Sequence, residues 1–511
     1  MILERGVVRT LEPSLPKASA LAIAGERVAG GVGTHEDALP SPDRVDLGGR
    51  CVLPGLNDAH VHFPTWALAR REVRLEGVRS VDEATGRVRE ALGSVREGAW
   101  LRGRGWRSGE WSVQPTKEAL DEVTGEIPTA LLAQDSHSLW LNSAALARAN
   151  GDLDVDGGVV ERDERGDPTG VLREESCWQF RNRFIEISDE EHLSAMREGL
   201  RVAASRGVTG VHDKDGWIGA VRFWQELEGD GALTLRVWQS VPHEQLDSLE
   251  ELGLRSGFGT GLLRLGYLKA FMDGTLGSQT ARMLDGSGVQ ITSRDELAEI
   301  LRRAAPASWP VAVHAIGDLA NREALDAFEE TRDEWGPLGL RHRIEHAQLL
   351  APEDIGRFGS LGIAASVQFS HAPSDRDLAD RFWAGKTGGA YAFRSLLDSG
   401  AVLANGSDAP IEELDPLAGL VAGVLRTIDE RPAWHPEQAL KVEEAIHATC
   451  VTPAWLAYDE HRRGKLIPGY LADLVVLDRD PFAIPAGELP DVQVVSTMVG
   501  GRWTHNPPPW D

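Results

Sequence analysis

Short apolar runs alternate with longer amphipathic stretches through most of the chain. The short runs are typical of buried strands, and the stretches with apolar residues every three or four positions are typical of helices. The strand-like runs include PTALLAQD, GVTGVHD, LLRLGYLKAF, PVAVHA, HRIEHAQ, GIAASVQF and AVLANGSD, and the helix-like stretches include SRDELAEILRRAA, NREALDAFEETRDEW and YAFRSLLDSG. This repetition predicts an α/β fold in which parallel strands form a (β/α)₈ TIM barrel rather than an open sheet.

The two ends of the chain have a different pattern. Apolar and polar residues alternate between Gly-rich turns in residues 1–54, for example in SALAIAGERVAG, and again in residues 463–511, for example in VQVVSTMVGGRWTH. We therefore expect both ends to pair into one small β-sandwich beside a barrel of residues 55–462. A stretch at about 64–175 is richer in Gly, Trp and charge. It is predicted to be an insertion over the barrel mouth.

Composition excludes some partners. The 511 residues include 53 Lys and Arg against 79 Asp and Glu, a net charge of −26, which disfavours nucleic acid and anionic membrane surfaces. Three cysteines without C-x-x-C spacing, Cys51, Cys177 and Cys450, indicate a reducing compartment. Glu4 and Arg5 precede any apolar run, unlike a signal peptide, and no uncharged apolar stretch is long enough to span a bilayer. We expect a cytoplasmic protein.

A histidine pair, His60 and His62, ends the run CVLPGLNDAHVHF. Alternate residues of a strand point to the same face, with Cα atoms roughly 6.5–7 Å apart. Two imidazoles on one face can bind one metal ion, and neutral imidazole suits zinc and its first-row neighbours. The spacing is common by chance, so the pair gains weight only from the rest of the chain.

Further metal-competent side chains occur where later predicted strands end. They are Lys269 in YLKAF, His314 in VAVHA, His346 in RIEHAQ and Asp408 in ANGSDAP. Active sites of (β/α)₈ barrels are built at the C-terminal ends of the strands, where residues from different strands converge. The ordered set of histidines, lysine and aspartate therefore predicts a metal centre at the barrel mouth.

The order of these residues resembles the amidohydrolase superfamily, and within it the YtcJ-like branch that includes N-substituted formamide deformylases. The motifs that carry the resemblance are PGLNDAHVHF, PTKEALD, DSHSLWLNSAAL, DPTGVL, GVTGVHD, KAFMDGTLGSQTA, VHAIGD, RIEHAQ, SVQFSH, NGSDAP and IPGYLADLVVLDRDPF. They span nearly the whole chain. The resemblance implies a metal-dependent hydrolase of a non-peptide carbon–nitrogen bond, in an amide such as an N-substituted formamide.

The resemblance also implies residue roles. His60 and His62 would hold the more buried ion together with Asp408. His314 and His346 would bind a second ion, or one would bind it while the other polarises the substrate carbonyl. Asp408 and His346 are the expected catalytic residues: metal-activated hydroxide attacks the carbonyl, and Asp408 carries the proton to the leaving nitrogen. The expected cofactor is one or two divalent ions, with zinc the expected metal.

Lys269 is the most specific expectation. A neutral amine can take up CO₂ to become a carbamate, whose two oxygens can bridge two metals, and burial favours the neutral amine. The resemblance places this carbamylated lysine at Lys269. A cationic lysine that contacts substrate and a strand-end salt bridge are the alternatives, and Lys214 in VHDKDG is the rival position.

Other polar residues beside strand ends are candidate substrate contacts, although hydrogen-bonded structural roles are equally open. These candidates are Asp135, His137, His212, Asp273, Gln368 and His371, to which Trp106 is added as an aromatic contact. Trp106, Trp111, Trp140 and Trp178 lie in or next to the predicted insertion, where stacking on a substrate competes with core packing.

The sequence lacks the signature motifs of several other enzyme classes. The sequence contains no Walker-type phosphate loop, no dinucleotide fingerprint after a strand, no G-x-S-x-G and no H-E-x-x-H. A deaminase or cyclic-amide hydrolase of the same superfamily remains an alternative, and so does a catalytically silent scaffold. The expected partner is a small-molecule amide, and a homodimer is compatible with the sequence.

Overall fold

A computed structural model describes residues 1–34, 37, 41–95, 98–107, 111–134, 138–151, 153–156, 158–185, 187–277 and 279–510. The chain divides into two compact units. The first comprises Met1–Trp66 and Met196–Asp511, and the second comprises Ala67–Ala195.

The described residues form 22 strands, numbered here in chain order. They are β1 (Ile2–Arg9), β2 (Lys17–Ala24), β3 (Arg27–Val28), β4 (Arg44–Asp46), β5 (Cys51–Pro54), β6 (Leu56–Val61), β7 (Val73–Arg74), β8 (Leu101–Trp106), β9 (Thr129–Ala133), β10 (Ser138–Leu141), β11 (Gly158–Arg162), β12 (Pro168–Glu174), β13 (Val208–Asp213), β14 (Arg236–Pro242), β15 (Leu263–Phe271), β16 (Val311–Ala315), β17 (Arg343–His346), β18 (Ala364–Val367), β19 (Leu403–Asn405), β20 (Leu474–Leu477), β21 (Val494–Val499) and β22 (Arg502–His505).

The same residues form 18 α-helices and eight short 3₁₀ helices. The α-helices are α1 (Phe63–Ala69), α2 (Val81–Ala91), α3 (Lys117–Thr124), α4 (Ser143–Leu146), α5 (Glu175–Phe184), α6 (Asp189–Ser205), α7 (Ala220–Gly229), α8 (Leu246–Glu251), α9 (Arg294–Ala304), α10 (Asp318–Glu330), α11 (Arg332–Trp335), α12 (Pro352–Leu361), α13 (His371–Ser374), α14 (Arg376–Phe382), α15 (Phe393–Asp398), α16 (Pro416–Leu425), α17 (Val442–Cys450) and α18 (Thr452–Leu456). The 3₁₀ helices are Leu92–Ser94, Ala147–Ala149, Gly216–Ile218, His243–Gln245, Gly336–Leu338, Thr387–Gly389, Pro436–Gln438 and Ala486–Asp491.

Eight parallel strands of the first unit form a nearly closed barrel, in the order β6, β13, β14, β15, β16, β17, β18 and β19. Every residue of β6, β13, β14, β16 and β17 is buried. Burial along a whole strand is typical of parallel sheets that are covered on both faces. The predicted eight-stranded barrel is confirmed.

Local signals fix the ends of the helices between barrel strands. α9 begins after Ser293, whose hydroxyl accepts from the Glu296 backbone N–H while the Glu296 carboxylate accepts in return. α12 begins at Pro352 and ends before Gly362, which has a φ of 73°. Proline fits the first turn of a helix, and glycine adopts the left-handed conformation after its last turn without a steric cost. These signals set where the following strands begin.

The two ends of the chain contribute to one eight-stranded sheet, with the order β22, β21, β20, β5, β1, β2 and β3 and with β4 paired to β1. β20 pairs antiparallel with β5, and this pairing joins the C-terminal strands to the N-terminal ones. The expected association of the two ends is therefore present. The expected β-sandwich is not confirmed, because these strands form a single sheet.

The second unit contains a six-stranded sheet in the order β11, β12, β10, β9, β8 and β7. Its core includes Trp106, Trp111 and Trp140, whose ring centroids lie 6.1–6.3 Å apart. This unit covers residues 67–195, whereas the sequence predicts an insertion at about 64–175. The predicted domain boundaries stay predictions.

Two strand assignments differ from the sequence-based expectation. The run PTALLAQD gives β9, which belongs to the sheet of the second unit and not to the barrel. The barrel strand β14 is not among the predicted strands, because RVWQSVP mixes arginine, glutamine and serine with its apolar residues.

No helix in the described part of the chain is both long and apolar enough to cross a membrane.

A buried ion pair links the barrel to the terminal sheet. Arg236, the first residue of β14, donates from Nε and Nη2 to Asp473, just before β20, over 2.7 and 2.9 Å. Asp473 also accepts from the Gly500 backbone N–H at 2.8 Å. Both side chains of the pair are less than one-tenth exposed. Removing one partner would leave the other as an uncompensated buried charge.

We expect Asp473→Ala to lower the free energy of unfolding by about 3 kcal/mol, because the Arg236 guanidinium stays buried without its carboxylate. Urea unfolding followed by circular dichroism measures the effect. Asp377→Ala removes an exposed carboxylate paired with Arg431 and is the matched control. An unchanged midpoint for Asp473→Ala would show that the pair does not hold the two elements together.

Candidate metal centre

Three predicted ligands converge at the barrel mouth. His60 lies in β6, His62 follows that strand directly, and Asp408 comes three residues after β19. Asp408 Oδ1 lies 3.3 Å from His60 Nε2 and 3.5 Å from His62 Nε2. One ligand atom from each residue falls within 4.8 Å of the other two. This group, His60, His62 and Asp408, is called the first ligand group.

Backbone hydrogen bonds hold this group at the point where the barrel closes. The Asp408 N–H donates to the His60 carbonyl over 2.7 Å, and the His62 N–H donates to the Ala409 carbonyl over 2.9 Å. Asp408 has a φ of 56°, a left-handed conformation that is uncommon for a non-glycine residue. Such strain persists only where the surrounding structure imposes it, and here it directs the carboxylate toward the histidines.

Each histidine of the first ligand group is oriented by its own carboxylate. His60 Nδ1 lies 2.7 Å from Glu345 Oε2, and His62 Nδ1 lies 2.7 Å from Asp215 Oδ1. A carboxylate only accepts, so Nδ1 carries the proton in both rings and Nε2 presents its lone pair toward Asp408. Paired carboxylates of this kind fix the ring orientation of metal-ligating histidines and raise their basicity.

Glu345 is part of a fully buried charge cluster. Its Oε1 lies 2.8 Å from Arg343 Nε and 3.0 Å from Lys214 Nζ. Burial alone would favour the neutral acid, but Arg343 and Lys214 hold the pKa of Glu345 well below its usual range. The ionised carboxylate is therefore available to accept from His60.

A second group shares Asp408. His346 Nδ1 and His371 Nε2 each lie 4.0 Å from Asp408 Oδ2. One ligand atom from each of the three residues lies within 4.8 Å of the other two. Gln368 Oε1 accepts from His346 Nδ1 at 2.9 Å, and His371 Nδ1 lies 3.1 Å from the Gln348 amide. Among the described atoms His371 Nε2 is buried without a hydrogen-bond partner. Such an orphaned nitrogen is consistent with a ligand at this point.

His314 and Lys269, both predicted metal ligands, lie beside these groups. The His314 ring centroid is 4.4 Å from that of His346, and His314 Nε2 donates to the Gly274 carbonyl at 3.0 Å. Lys269 Nζ lies 4.5 Å from the Phe271 ring centroid. It is buried and makes no hydrogen bond to the part of the chain that the structure describes. Direct ligation by either residue stays a prediction.

The protonation states suit a divalent cation. Burial lowers the pKa of His60, His314 and His346, which favours the lone-pair-bearing form that a cation needs, whereas Asp215 raises the pKa of His62 against the effect of burial. Burial opposes ionisation of Asp408, but His60 and His346 hold the pKa of its carboxyl well below the usual value. Imidazoles around one carboxylate are a donor set that fits zinc and neighbouring first-row metals.

The predicted substrate contacts have varied surroundings. His212 Nδ1 accepts from Arg343 at 3.1 Å inside the barrel. Asp273 accepts from three backbone N–H groups, those of Arg282, Ile316 and Gly317, at 2.8–3.0 Å. Trp106 is buried in the second unit and donates to the Leu131 carbonyl at 2.7 Å.

Asp135 and His137 lie outside the described residues. Gln368 and His371 border the second group. A role in substrate binding stays a prediction for all seven candidate residues of these two paragraphs.

Sequence reasoning missed Glu345 and Asp215, the carboxylates that orient the two histidines. Glu345 carries a signal, because a charged residue interrupts the apolar pattern of RIEH and lies directly beside a predicted ligand. Asp215 follows Asp213 and Lys214 in VHDKDG, and spacing cannot choose among three adjacent charges.

Comparison with known proteins shows which family and which relatives this chain is similar to. The family model described as "Amidohydrolase family" matches residues 43–505. The chain is 32% identical to Protein LONG AFTER FAR-RED 3 of Arabidopsis thaliana, over 98% of this chain and 91% of that protein. It is 31% identical to the YtcJ amidohydrolase of Bacillus subtilis (strain 168), over 91% and 90% of the two chains. It is 27% identical to an N-substituted formamide deformylase of Arthrobacter pascens, over 97% and 96%.

A solved structure agrees with these relatives. The uncharacterized metal-dependent hydrolase from Pyrococcus horikoshii OT3 superimposes with a TM-score of 0.81 at 29% identity, covering 95% of this chain and 99% of that chain. The likeness covers nearly the whole of both chains. It supports the recognition of a divalent-metal centre in the two His and Asp groups.

We expect Glu345→Gln to weaken metal binding about 10- to 100-fold, because His60 loses the anionic partner that orients its ring. Competition with a chromophoric chelator on zinc-loaded protein measures the affinity. Glu353→Gln changes an exposed glutamate on α12 and is the control. If both variants bind zinc as tightly as the wild type while retaining the native circular dichroism spectrum, Glu345 does not support the metal site.

Proposed function

Because the chain belongs to the amidohydrolase family, we propose that this hydrolase cleaves the carbon–nitrogen bond of a small non-peptide amide, with N-substituted formamides as the first substrates. The observation that carries the proposal is the sharing of one carboxylate, Asp408, by two histidine groups at converging strand ends. The likeness to a formamide deformylase over nearly the full length of both chains supports the substrate class.

Zinc is the metal that we propose for the first ligand group, since two imidazoles and a carboxylate form a common zinc donor set. When bound, such an ion supplies Lewis acidity that polarises a carbonyl and activates water. His60 and His62 hold their Nε2 atoms in place through Glu345 and Asp215. The chain therefore offers a preorganised set of donors rather than flexible surface ligands.

Asp408 has the geometry of a proton carrier. Its Oδ1 faces the first ligand group, and its Oδ2 faces His346 and His371. The ionised carboxylate accepts the proton that attacking water gives up, then donates it to the departing nitrogen. His346, neutral and fixed by Gln368, supports this role as a hydrogen-bonding or electrophilic neighbour of the reacting carbonyl.

Lys269 is the position that we propose for a lysine carbamate. Burial lowers the pKa of Lys269 to about 8 and that of Lys214 to about 7, so both amines are substantially neutral near pH 8. Their pKa values therefore do not separate them, but their contacts do. Lys214 Nζ is paired with Glu345, whereas Lys269 Nζ has no hydrogen-bond partner among the described residues. A carbamate at Lys269 would give that buried atom polar partners.

We expect Asp408→Asn to lower kcat for formamide hydrolysis about 10²- to 10⁴-fold, because an amide cannot take up the proton. Formate release measures turnover, and elemental analysis measures the zinc content. Asp429→Asn, at an exposed carboxylate beside Arg431, is the control. Wild-type turnover in Asp408→Asn would refute the assigned role. Ammonia release from an aminopurine or aminopyrimidine by a wild type that releases no formate from formamides would favour a deaminase.

We expect ¹³C-bicarbonate to label one lysine of the metal-loaded protein, giving a carbamate resonance by NMR. Lys269→Ala should abolish the resonance, because it removes the buried amine that has no hydrogen-bond partner among the described residues and is free to react with CO₂. Lys214→Ala is the matched comparison. Loss of the resonance only in Lys214→Ala would reassign the carbamate to Lys214, and a resonance that persists in both variants would exclude both lysines.

A further inference from the structure

Trp217 is the one exposed tryptophan among the sixteen in the chain, all of which lie in the described residues. It follows β13 on the short 3₁₀ turn Gly216–Ile218, at the end of the barrel where the ligand groups lie. Trp217 is 48% exposed, while Trp106, Trp111 and Trp140 are at most 6% exposed. An indole left half in water forgoes much of its favourable burial, and where it adjoins other exposed apolar residues the patch marks a contact site.

Ring contacts connect Trp217 to the ligand groups. Its ring centroid lies 5.3 Å from that of Phe271, at the end of β15. The Phe271 centroid lies 5.3 Å from that of His314, which in turn lies 4.4 Å from that of His346. Trp217 is therefore the outermost of four successive rings that begin beside Asp408.

The turn that carries Trp217 is tied to the first ligand group. Asp215, two residues earlier, accepts from His62 Nδ1 through Oδ1 and from the Thr65 N–H through Oδ2. The Gly216 N–H donates to the Lys214 carbonyl at 2.8 Å. The indole is thus held on a fixed turn and does not depend on a flexible loop for its position. Rigid aromatic side chains bind at a low cost in conformational entropy.

Exposed aliphatic residues accompany Trp217 at this end of the barrel. Ile218 is its neighbour in the turn, and Leu284, Val289 and Ile291 lie on the segment after β15. That segment returns to the end of β15, where the Ile291 N–H donates to the Met272 carbonyl at 2.9 Å. Ile291 is therefore anchored one residue from Phe271, and the apolar surface continues past the ring series.

We propose that Trp217, supported by Phe271, is a binding platform for an aromatic group of the substrate. This inference rests on the proposed formamide hydrolysis. Because a formyl group carries no side chain, the aromatic group must be attached to the amide nitrogen. The substrate class is therefore an N-arylalkyl formamide, with the formyl carbonyl at the ligand groups and its ring on the indole face.

The test compares N-(2-phenylethyl)formamide with N-ethylformamide, which differ only by the phenyl ring. The zinc-loaded wild type should favour the phenyl substrate in kcat/KM by about tenfold or more. Trp217→Ala should remove most of that preference, and Trp217→Phe should restore much of it. Phe258→Ala, an exposed aromatic residue near the opposite end of β15, should keep the wild-type ratio. An unchanged ratio in Trp217→Ala would overturn the proposal.

A binding measurement separates this inference from the proposed function. Calorimetry compares N-hydroxy-N-(2-phenylethyl)formamide with N-hydroxy-N-ethylformamide on zinc-loaded protein, since both probes bind metal through the same group and carry their substituent on nitrogen, as the proposed substrate does. Tighter binding of the phenyl probe that is lost in Trp217→Ala supports the platform even if no formamide is hydrolysed. Equal affinities, or a difference that Trp217→Ala leaves intact, overturn the platform even if formamides are hydrolysed.

Discussion

The closing seam of the barrel is the constraint on which the rest of the site depends. Across it, the Asp408 N–H donates to the His60 carbonyl and the His62 N–H donates to the Ala409 carbonyl. The residues that close the barrel are thus the ones whose side chains form the first ligand group. Gly406 permits the close approach, because a Cβ there would lie 2.5 Å from the His60 nitrogen. Barrel closure and ligand positioning therefore depend on the same backbone hydrogen bonds.

The buried charges beneath the seam have a cost that packing alone would not justify. Replacing a buried ionic cluster with apolar residues often leaves stability unchanged or raises it, so the cluster of Glu345, Arg343 and Lys214 is weak evidence for stabilisation. Its geometry has another consequence. Glu345 fixes the His60 ring, and Arg343 donates to the Ala59 carbonyl beside it at 3.2 Å. The cluster therefore orients the His60 ring and holds the backbone beside it, and this orientation is what the buried charges contribute.

The sequence predicts the barrel and the strand-end ligands for one physical reason. A parallel strand buried on both faces is a short apolar run, and a histidine or aspartate at its end stands out against that run, as in VAVHA and ANGSD. The same logic fails for β14, whose polar residues are buried, and for Glu345 and Asp215, whose importance lies in contacts between distant strands. It also cannot sort the tryptophans: the sequence leaves stacking and core packing open, and only the fold separates the packed Trp106 from the exposed Trp217.

The site therefore has two parts that are held by different interactions. The ligand groups are fixed by the seam and by paired carboxylates, so a change there alters closure, charge and metal binding together. The indole of Trp217 packs against Phe271, and Asp215 ties its turn to His62. Side chains on turns after barrel strands can change without disturbing the strands that position the chemistry. Members of one family can accordingly share the seam and its histidines while they bind different groups at the mouth, because selectivity depends on the side chains of the turns.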